Sequence, residues 1–129
     1  MSRIRDLVSR KTALTASLVE LDAAREETDR EGQAIAGRLA ELLVERLRLA
    51  AAHDAADPLS LEQWRAQVDF DRVTAEAEKS QQRAAELAFA HAQGHVAYET
   101  CAAELATIEA ALARLPAAEV ARATATVSN

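Results

Sequence analysis

Pro58 and Pro116 are the only prolines in this 129-residue chain, and they limit how its backbone can fold. Proline cannot continue a helix, and it pushes the residue before it out of helical geometry. The stretch before Pro58 and the stretch between the two prolines each hold 57 residues, with only three glycines in the whole chain. The sequence therefore predicts two long helices with a break near Pro58.

Large aliphatic side chains recur every seven residues in the first stretch. Six of seven such positions are leucine or isoleucine: Leu7, Leu14, Leu21, Thr28, Ile35, Leu42 and Leu49. The second stretch has a four-and-three pattern, aliphatic or aromatic at both ends and small in the middle: Phe70, Val73, Ala77, Ser80, Ala84, Leu87, His91, Gly94, Tyr98, Cys101, Leu105, Ile108, Leu112 and Leu115. These spacings predict a coiled-coil seam on each helix.

A helix-start signal follows Pro58. Ser60 and Gln63 have the spacing of a capping box, while Leu59 and Trp64 have that of a hydrophobic staple. We therefore expect helices over about residues 2–53 and 60–115, joined by a turn over about residues 54–59. Residues 117–129 show no usable apolar stripe, so we expect a frayed or disordered tail.

Together these signals predict an all-α fold, a long antiparallel two-helix coiled-coil hairpin over residues 1–116. If the turn centres near residue 57, residue i should face residue 114 − i. This register places Leu7 opposite Ile108 and Ile35 opposite the Ser80 region, so the aliphatic ends of both helices meet. At about 1.5 Å per residue, each arm would be ~75–80 Å long.

The formal net charge of −6 argues against nucleic acid as a partner, because such binding rests on a basic surface. Positive charge gathers at one end, where Arg3, Arg5, Arg10 and Lys11 outnumber Asp6. A basic end on an acidic chain favours an acidic protein partner. The charged start is unlike a secretory signal, and no run reaches the ~18–20 apolar residues of a membrane span. We expect a cytoplasmic protein without membrane insertion.

Few residues of the sequence are candidates for catalysis or metal binding. His91, His95 and Glu99 share one side of the second helix at a spacing that suits metal binding, but the segment lacks the glutamate of the H-E-x-x-H motif. Cys101 lies on the seam without a basic neighbour to activate it. A two-helix rod also offers no concave pocket for paired carboxylates. We therefore expect no metal, no cofactor and no enzymatic activity.

Trp64 has two interpretations. It is the only tryptophan and stands at the hairpin tip, where the staple alone would account for a large apolar side chain. Tryptophan is also favoured at interface hot spots, so a partner-binding tip is the functional interpretation.

A helical hairpin of this length, with Trp64-x5-Phe70 after the tip and then an amphipathic helix containing Val73, Gln81, Gln82 and Leu87, resembles the FliJ/YscO family. These are the stalk proteins of flagellar and injectisome type III export ATPases. The resemblance implies a cytoplasmic stalk that links a hexameric ATPase ring to an export-gate protein and escorts export chaperones. It implies ring contacts by the Ile4–Leu18 and Leu105–Leu115 arms. The partner-binding residues we select are Arg3, Ile4, Arg5, Leu7, Arg10, Lys11, Trp64 and Phe70.

Two alternatives remain open. A secreted WXG-like hairpin also places tryptophan at a turn, but Trp64 is followed by Arg65-Ala66, and Ala102 stands where an export signal would need an acid after Tyr98. The other is a self-associating scaffold or assembly protein, such as a homodimer forming a four-helix bundle through apolar positions beside the seam. Those positions are Leu43, Val44 and Leu47.

Overall fold

The structure is a computed structural model that describes residues 2–128, and in that range every regular element is a helix. Helix α1 runs Ser2–Ala55, α2 runs Leu61–Ala113 and α3 runs Ala117–Ser128. The prediction of an all-helical fold is confirmed. The bounds of α1 and α2 differ from the expected ones by at most two residues.

The helices form two compact units. The turn unit, Thr28–His91, contains the end of α1, the connecting turn and the start of α2. The terminal unit, Met1–Glu27 with Ala92–Asn129, contains the start of α1, the end of α2 and all of α3. In each unit an α1 segment packs against an α2 segment of opposite direction.

The turn unit is built on a small aliphatic core. Leu42 and Leu49 of α1 are buried against Val73 and Ala77 of α2, with 2–5% of each residue exposed. All four were expected on the seam, and Leu39 and Phe70 pack around them. Burying each leucine side chain contributes on the order of 1.5–3 kcal/mol. The burial of these apolar residues therefore holds the two helix segments together.

Two ion pairs of the turn unit are in the predicted register. The Arg38 guanidinium lies 3.0 Å from a carboxylate oxygen of Glu76, and that of Arg83 lies 2.7 Å from Glu31. In both pairs the residue numbers add to 114, as the predicted register requires. These pairs are exposed, so each adds little stability by itself, but they cross the same seam as the apolar core.

The connecting turn begins α2 with a modified capping box. The backbone N–H of Gln63 donates to Ser60 Oγ at 3.1 Å, which confirms Ser60 as the N-cap. In return, Gln63 Oε1 accepts the N–H of Leu59 at 2.9 Å, while the N–H of Ser60 is taken by the carbonyl of Asp57. The reciprocal bond is thus shifted by one residue.

The predicted hydrophobic staple is wrong. Leu59 has a φ of 63° and is 99% exposed, so it does not pack on Trp64. A left-handed backbone at the residue before the N-cap turns the Leu59 side chain into solvent. Trp64 is itself 63% exposed.

The terminal unit has its own core of five buried residues. They are Val8 and Leu14 of α1, with Cys101, Ile108 and Leu112 of α2. Arg10 and Glu104 bridge the same two helices, and their numbers again add to 114. Val8 lies one position off the predicted seam, which shows that this core has a contributor besides the α1–α2 pair.

That contributor is α3, where we expected a frayed or disordered tail. Val120, Ala123 and Val127 stand three and four residues apart on one face of α3, and they pack against the core of the terminal unit. The carbonyl of Pro116 accepts the N–H groups of Glu119 and Val120, both at 3.1 Å. Pro116 thus follows the end of α2, and its carbonyl accepts the first backbone hydrogen bonds of α3.

The core of the turn unit can be tested by truncation. Replacing Leu42 with alanine should lower the free energy of unfolding by about 2–4 kcal/mol, because it leaves a cavity where 97% of the residue is enclosed. Val19→Ala is the matched control on the same helix, since Val19 is 67% exposed and its truncation should cost less than about 0.5 kcal/mol. Urea unfolding followed by circular dichroism measures both values. Equal losses in the two variants would contradict the assigned core.

The order of α3 can be tested by amide hydrogen exchange. Amides from Ala121 to Val127 should exchange more slowly than an unstructured chain, and Val120→Asp should remove that protection by placing a charge against the apolar core. Ala118→Asp, in the same turn but on an exposed position, should leave it intact. Unprotected exchange throughout α3 in the unsubstituted chain would show that this helix does not form.

Candidate partner-binding surfaces

The basic side chains near the start of α1 lie on the surface of the terminal unit. Arg3, Arg5 and Lys11 are exposed, as a partner-binding role requires. Ile4 and Leu7, which we also expected to contact a partner, are half-buried and pack against the unit's own core. Their first role is therefore to hold α1 in place, and the charged residues are the accessible part of this end.

Arg10 belongs to an internal ion pair. Its Nε and Nη2 donate to the two carboxylate oxygens of Glu104 at 2.8 and 3.0 Å, a bidentate arrangement. The hydrogen bonds from Arg10, followed by its positive charge, hold the pKa of Glu104 below its ordinary value, and Glu104 raises the pKa of Arg10 in turn. Because its donors already face a carboxylate, Arg10 is the least available of the predicted cations.

A groove between α1 and α3 brings a second arginine to the basic end. It encloses about 310 Å³ and is lined by Ile4, Arg5, Glu119, Arg122 and Ala123. Among residues 2–128, neither Arg5 nor Arg122 has an ion-pair partner. The groove therefore combines an apolar floor with two available guanidinium groups beside one carboxylate. We call it the basic groove.

Arg122 was missing from the residues selected on sequence. It stands 117 positions after Arg5 and became relevant only because α3 folds back onto α1. The available signal was the spacing of Val120, Ala123 and Val127, which marks an amphipathic helix. Recognising that stripe would have placed Arg122 beside the groove.

The two aromatic residues predicted at the tip have different environments. Trp64 is largely exposed and lines a shallow depression with Leu59, Ser60 and Gln67. Phe70 is half-buried against the core of the turn unit, and the Arg46 guanidinium lies 6.0 Å from its ring centroid. Trp64 is therefore available to a partner, whereas Phe70 mainly supports the fold.

Two of the remaining candidates for chemistry, His91 and Cys101, contact other residues of the fold, whereas His95 and Glu99 are exposed. His91 Nδ1 lies 3.3 Å from a carboxylate oxygen of Asp29, on an exposed position and not in the core. Cys101 is buried, and its thiol contacts the carbonyl oxygen of Leu14 at 3.6 Å. Within residues 2–128, no three or more His, Cys, Asp or Glu side chains are grouped to hold a metal ion. The helices of the same range include none that is long and apolar enough to cross a membrane.

No protein-family model matches this chain, and the comparisons with curated proteins and with solved structures also give no match. The interpretation of its surfaces therefore depends on the residues themselves.

The Arg10–Glu104 pair predicts a pH-dependent contribution to stability. A carboxyl whose pKa is lower in the folded chain stabilises the fold above its unfolded pKa, and this contribution is lost as pH falls through the folded pKa. Replacing Arg10 with glutamine should therefore raise the Glu104 pKa towards its ordinary value. The same substitution should also reduce the difference in the free energy of unfolding between pH 7 and acidic pH. NMR titration of the Glu104 carboxyl and urea unfolding across pH measure both effects.

Glu45 is the matched control for this titration. Hydrogen bonding to Arg48 lowers the pKa of Glu45, and this pair lies in the other unit. The Glu45 pKa should be unchanged in the Arg10→Gln variant. An unchanged Glu104 pKa, or an equal change at both residues, would contradict the specific pair.

Proposed function

We propose that this chain is a non-enzymatic helical adaptor that binds an acidic surface of a protein partner through the basic groove. The observation that carries the proposal is the pairing of Arg5 with Arg122 across the groove, with no internal carboxylate engaged by either guanidinium among the described residues. By contrast, Arg10, Arg38 and Arg83 are held in ion pairs between the helices.

The chemistry of the groove fits an acidic amphipathic segment. Guanidinium groups bind carboxylates with two parallel hydrogen bonds, so Arg5 and Arg122 favour Asp or Glu side chains of a partner. Ile4 and Ala123 supply apolar contact between them. Arg3 is also exposed, about 200° around α1 from Arg5, and it adds to the positive charge of this end of the helix. Recognition of this kind weakens as salt rises.

Two further properties belong to the same proposal. The seven-residue spacing of buried positions such as Leu42 and Leu49 supports α1 and α2 as an antiparallel coiled coil, and so does the shared register of three arginine–carboxylate pairs between the helices. The resemblance in the sequence then supports a stalk of a type III export apparatus in the cytoplasm. In that setting the acidic partner is the export ATPase ring.

Trp64 provides the second attachment point that an adaptor needs. Its 63% exposure leaves most of the indole available, and the missing contact with Leu59 means that the side chain is not required to begin α2. Exposed tryptophan is a common anchor in protein interfaces. In a type III stalk, the partner at this end is the export-gate protein or an export chaperone.

The proposal can be tested with the purified full chain and the type III export ATPase from the same cell. We expect binding that weakens with salt, and an Arg5→Glu/Arg122→Glu variant that binds at least about tenfold more weakly, because like charges would then meet in the interface. Isothermal titration calorimetry at about 0.05 and 0.5 M salt measures both effects.

Arg65→Glu is the matched control, because Arg65 is an exposed arginine of α2 in the turn unit. It reverses one charge away from the groove, so it matches the single variants Arg5→Glu and Arg122→Glu, and it should leave the affinity within about twofold. An absence of binding at low salt would contradict the stalk proposal. Equal weakening by Arg65→Glu would show that net charge, not the groove, determines the affinity.

A further inference from the structure

We infer that the back of α1 in the turn unit is a self-association surface, on which a second copy of this chain packs in antiparallel orientation. The surface consists of six exposed apolar residues at helical spacing, which we call the back stripe: Ala36, Ala40, Leu43, Val44, Leu47 and Ala51. This inference does not depend on the proposed adaptor function.

The back stripe is separate from the core that holds α1 to α2. Val44 and Leu47 each stand two residues from a core leucine, Leu42 or Leu49, and two residues turn a helix by about 200°. Val44 is 68% exposed and Leu47 is 72% exposed. Over these four turns α1 thus has an apolar face on both sides, although a helix packed on one side normally carries polar residues on the other.

Charged side chains avoid the back stripe. Between Ala36 and Ala51 the charges are Arg38, Glu41, Glu45, Arg46 and Arg48. Arg38 reaches Glu41 and Glu76, while Arg48 pairs with Glu45, so these groups engage each other along the flank of α1. The back stripe itself therefore carries no charge, and charged residues border it.

The pattern of the stripe matches itself when it is reversed. An antiparallel second copy that places Leu43 opposite Val44 also places Ala40 opposite Leu47 and Ala36 opposite Ala51, so every position of the stripe meets another position of the stripe. A twofold axis requires such self-complementarity, because each copy presents the same surface. Two hairpin segments joined in this way form a four-helix arrangement with the two α1 segments at its centre.

The charged edge selects a second copy and sets its direction. Glu41 and Arg48 both border the stripe on one side, at its two ends. Antiparallel packing brings Glu41 of one copy beside Arg48 of the other, twice in the dimer, in addition to their pairs with Arg38 and Glu45 in the same chain. Parallel twofold packing would place the two charged edges on opposite flanks of the dimer, where these pairs between copies cannot form. Charge complementarity therefore favours the antiparallel dimer.

Sedimentation equilibrium of the full chain tests the inference. We expect the wild-type protein to reach twice the 13.9 kDa chain mass. Leu47→Asp should raise the dissociation constant by a factor on the order of 100 or more, since it would bury a charge within the interface. Its melting curve should match that of the wild type at a concentration where both are monomeric, because Leu47 is outside the core. Val96→Asp, at a 63% exposed position of α2 outside the stripe, is the control and should still dimerise.

Charge exchange tests the orientation. Glu41→Arg and Arg48→Glu should each weaken the dimer about tenfold, since each breaks two exposed pairs, and the double exchange should restore the affinity.

A monomeric mass at every concentration would overturn the inference, as would a dimer that Leu47→Asp leaves unchanged. Failure of the double exchange to restore an affinity that both single variants lower would overturn the antiparallel arrangement. If Leu47→Asp instead abolishes binding of another protein to a monomeric chain, the stripe serves a foreign helix and the self-association surface is refuted.

Discussion

The antiparallel register of α1 and α2 is the constraint on which each unit depends. Leucines spaced seven residues apart place apolar surface along one side of α1, and α2 offers the complementary side with smaller residues such as Ala77. Three interhelical ion pairs occur at residue numbers that add to 114, one in the terminal unit and two in the turn unit. A slip of one residue would separate these charges and turn the leucines away from their partners.

This register also determines which groups remain for function. It uses Arg10, Arg38 and Arg83 in pairs between helices and leaves Arg5 to meet Arg122 at the groove that α3 completes. It buries one face of α1 near Leu42 and leaves the opposite face apolar and exposed. The surfaces that we assign to partners are thus those that the internal packing does not use.

The sequence predicted the two long helices and their register because both follow from repeated local spacing and from one proline break. It also predicted the Ser60 cap, since capping depends on residues three apart. The exposure of Leu59 depends on a left-handed backbone conformation at the turn, which residue spacing does not specify. The pairing of Arg10 with Glu104 depends on side-chain rotamers, which residue spacing does not specify either. Helix α3 was missed because valines mixed with alanine and threonine give a weak stripe, which becomes stable only against the core of the terminal unit. The same holds for the candidate site. Arg5 was selected because basic residues lie near it in the sequence, whereas Arg122 was missed because it is far from Arg5 in the chain.

Side-chain footprinting of the full chain, free and mixed with the proposed partner, a type III export ATPase, is the most direct test of the basic groove. Carbene labelling read by mass spectrometry reports the exposure of side chains on both arms of the basic groove and at Trp64. We expect the partner to protect Ile4, Arg5, Arg122 and Ala123 together, because α1 and α3 form one groove. Protection of α1 without α3, or protection confined to Trp64 and its neighbours, would contradict the basic groove as the principal binding surface.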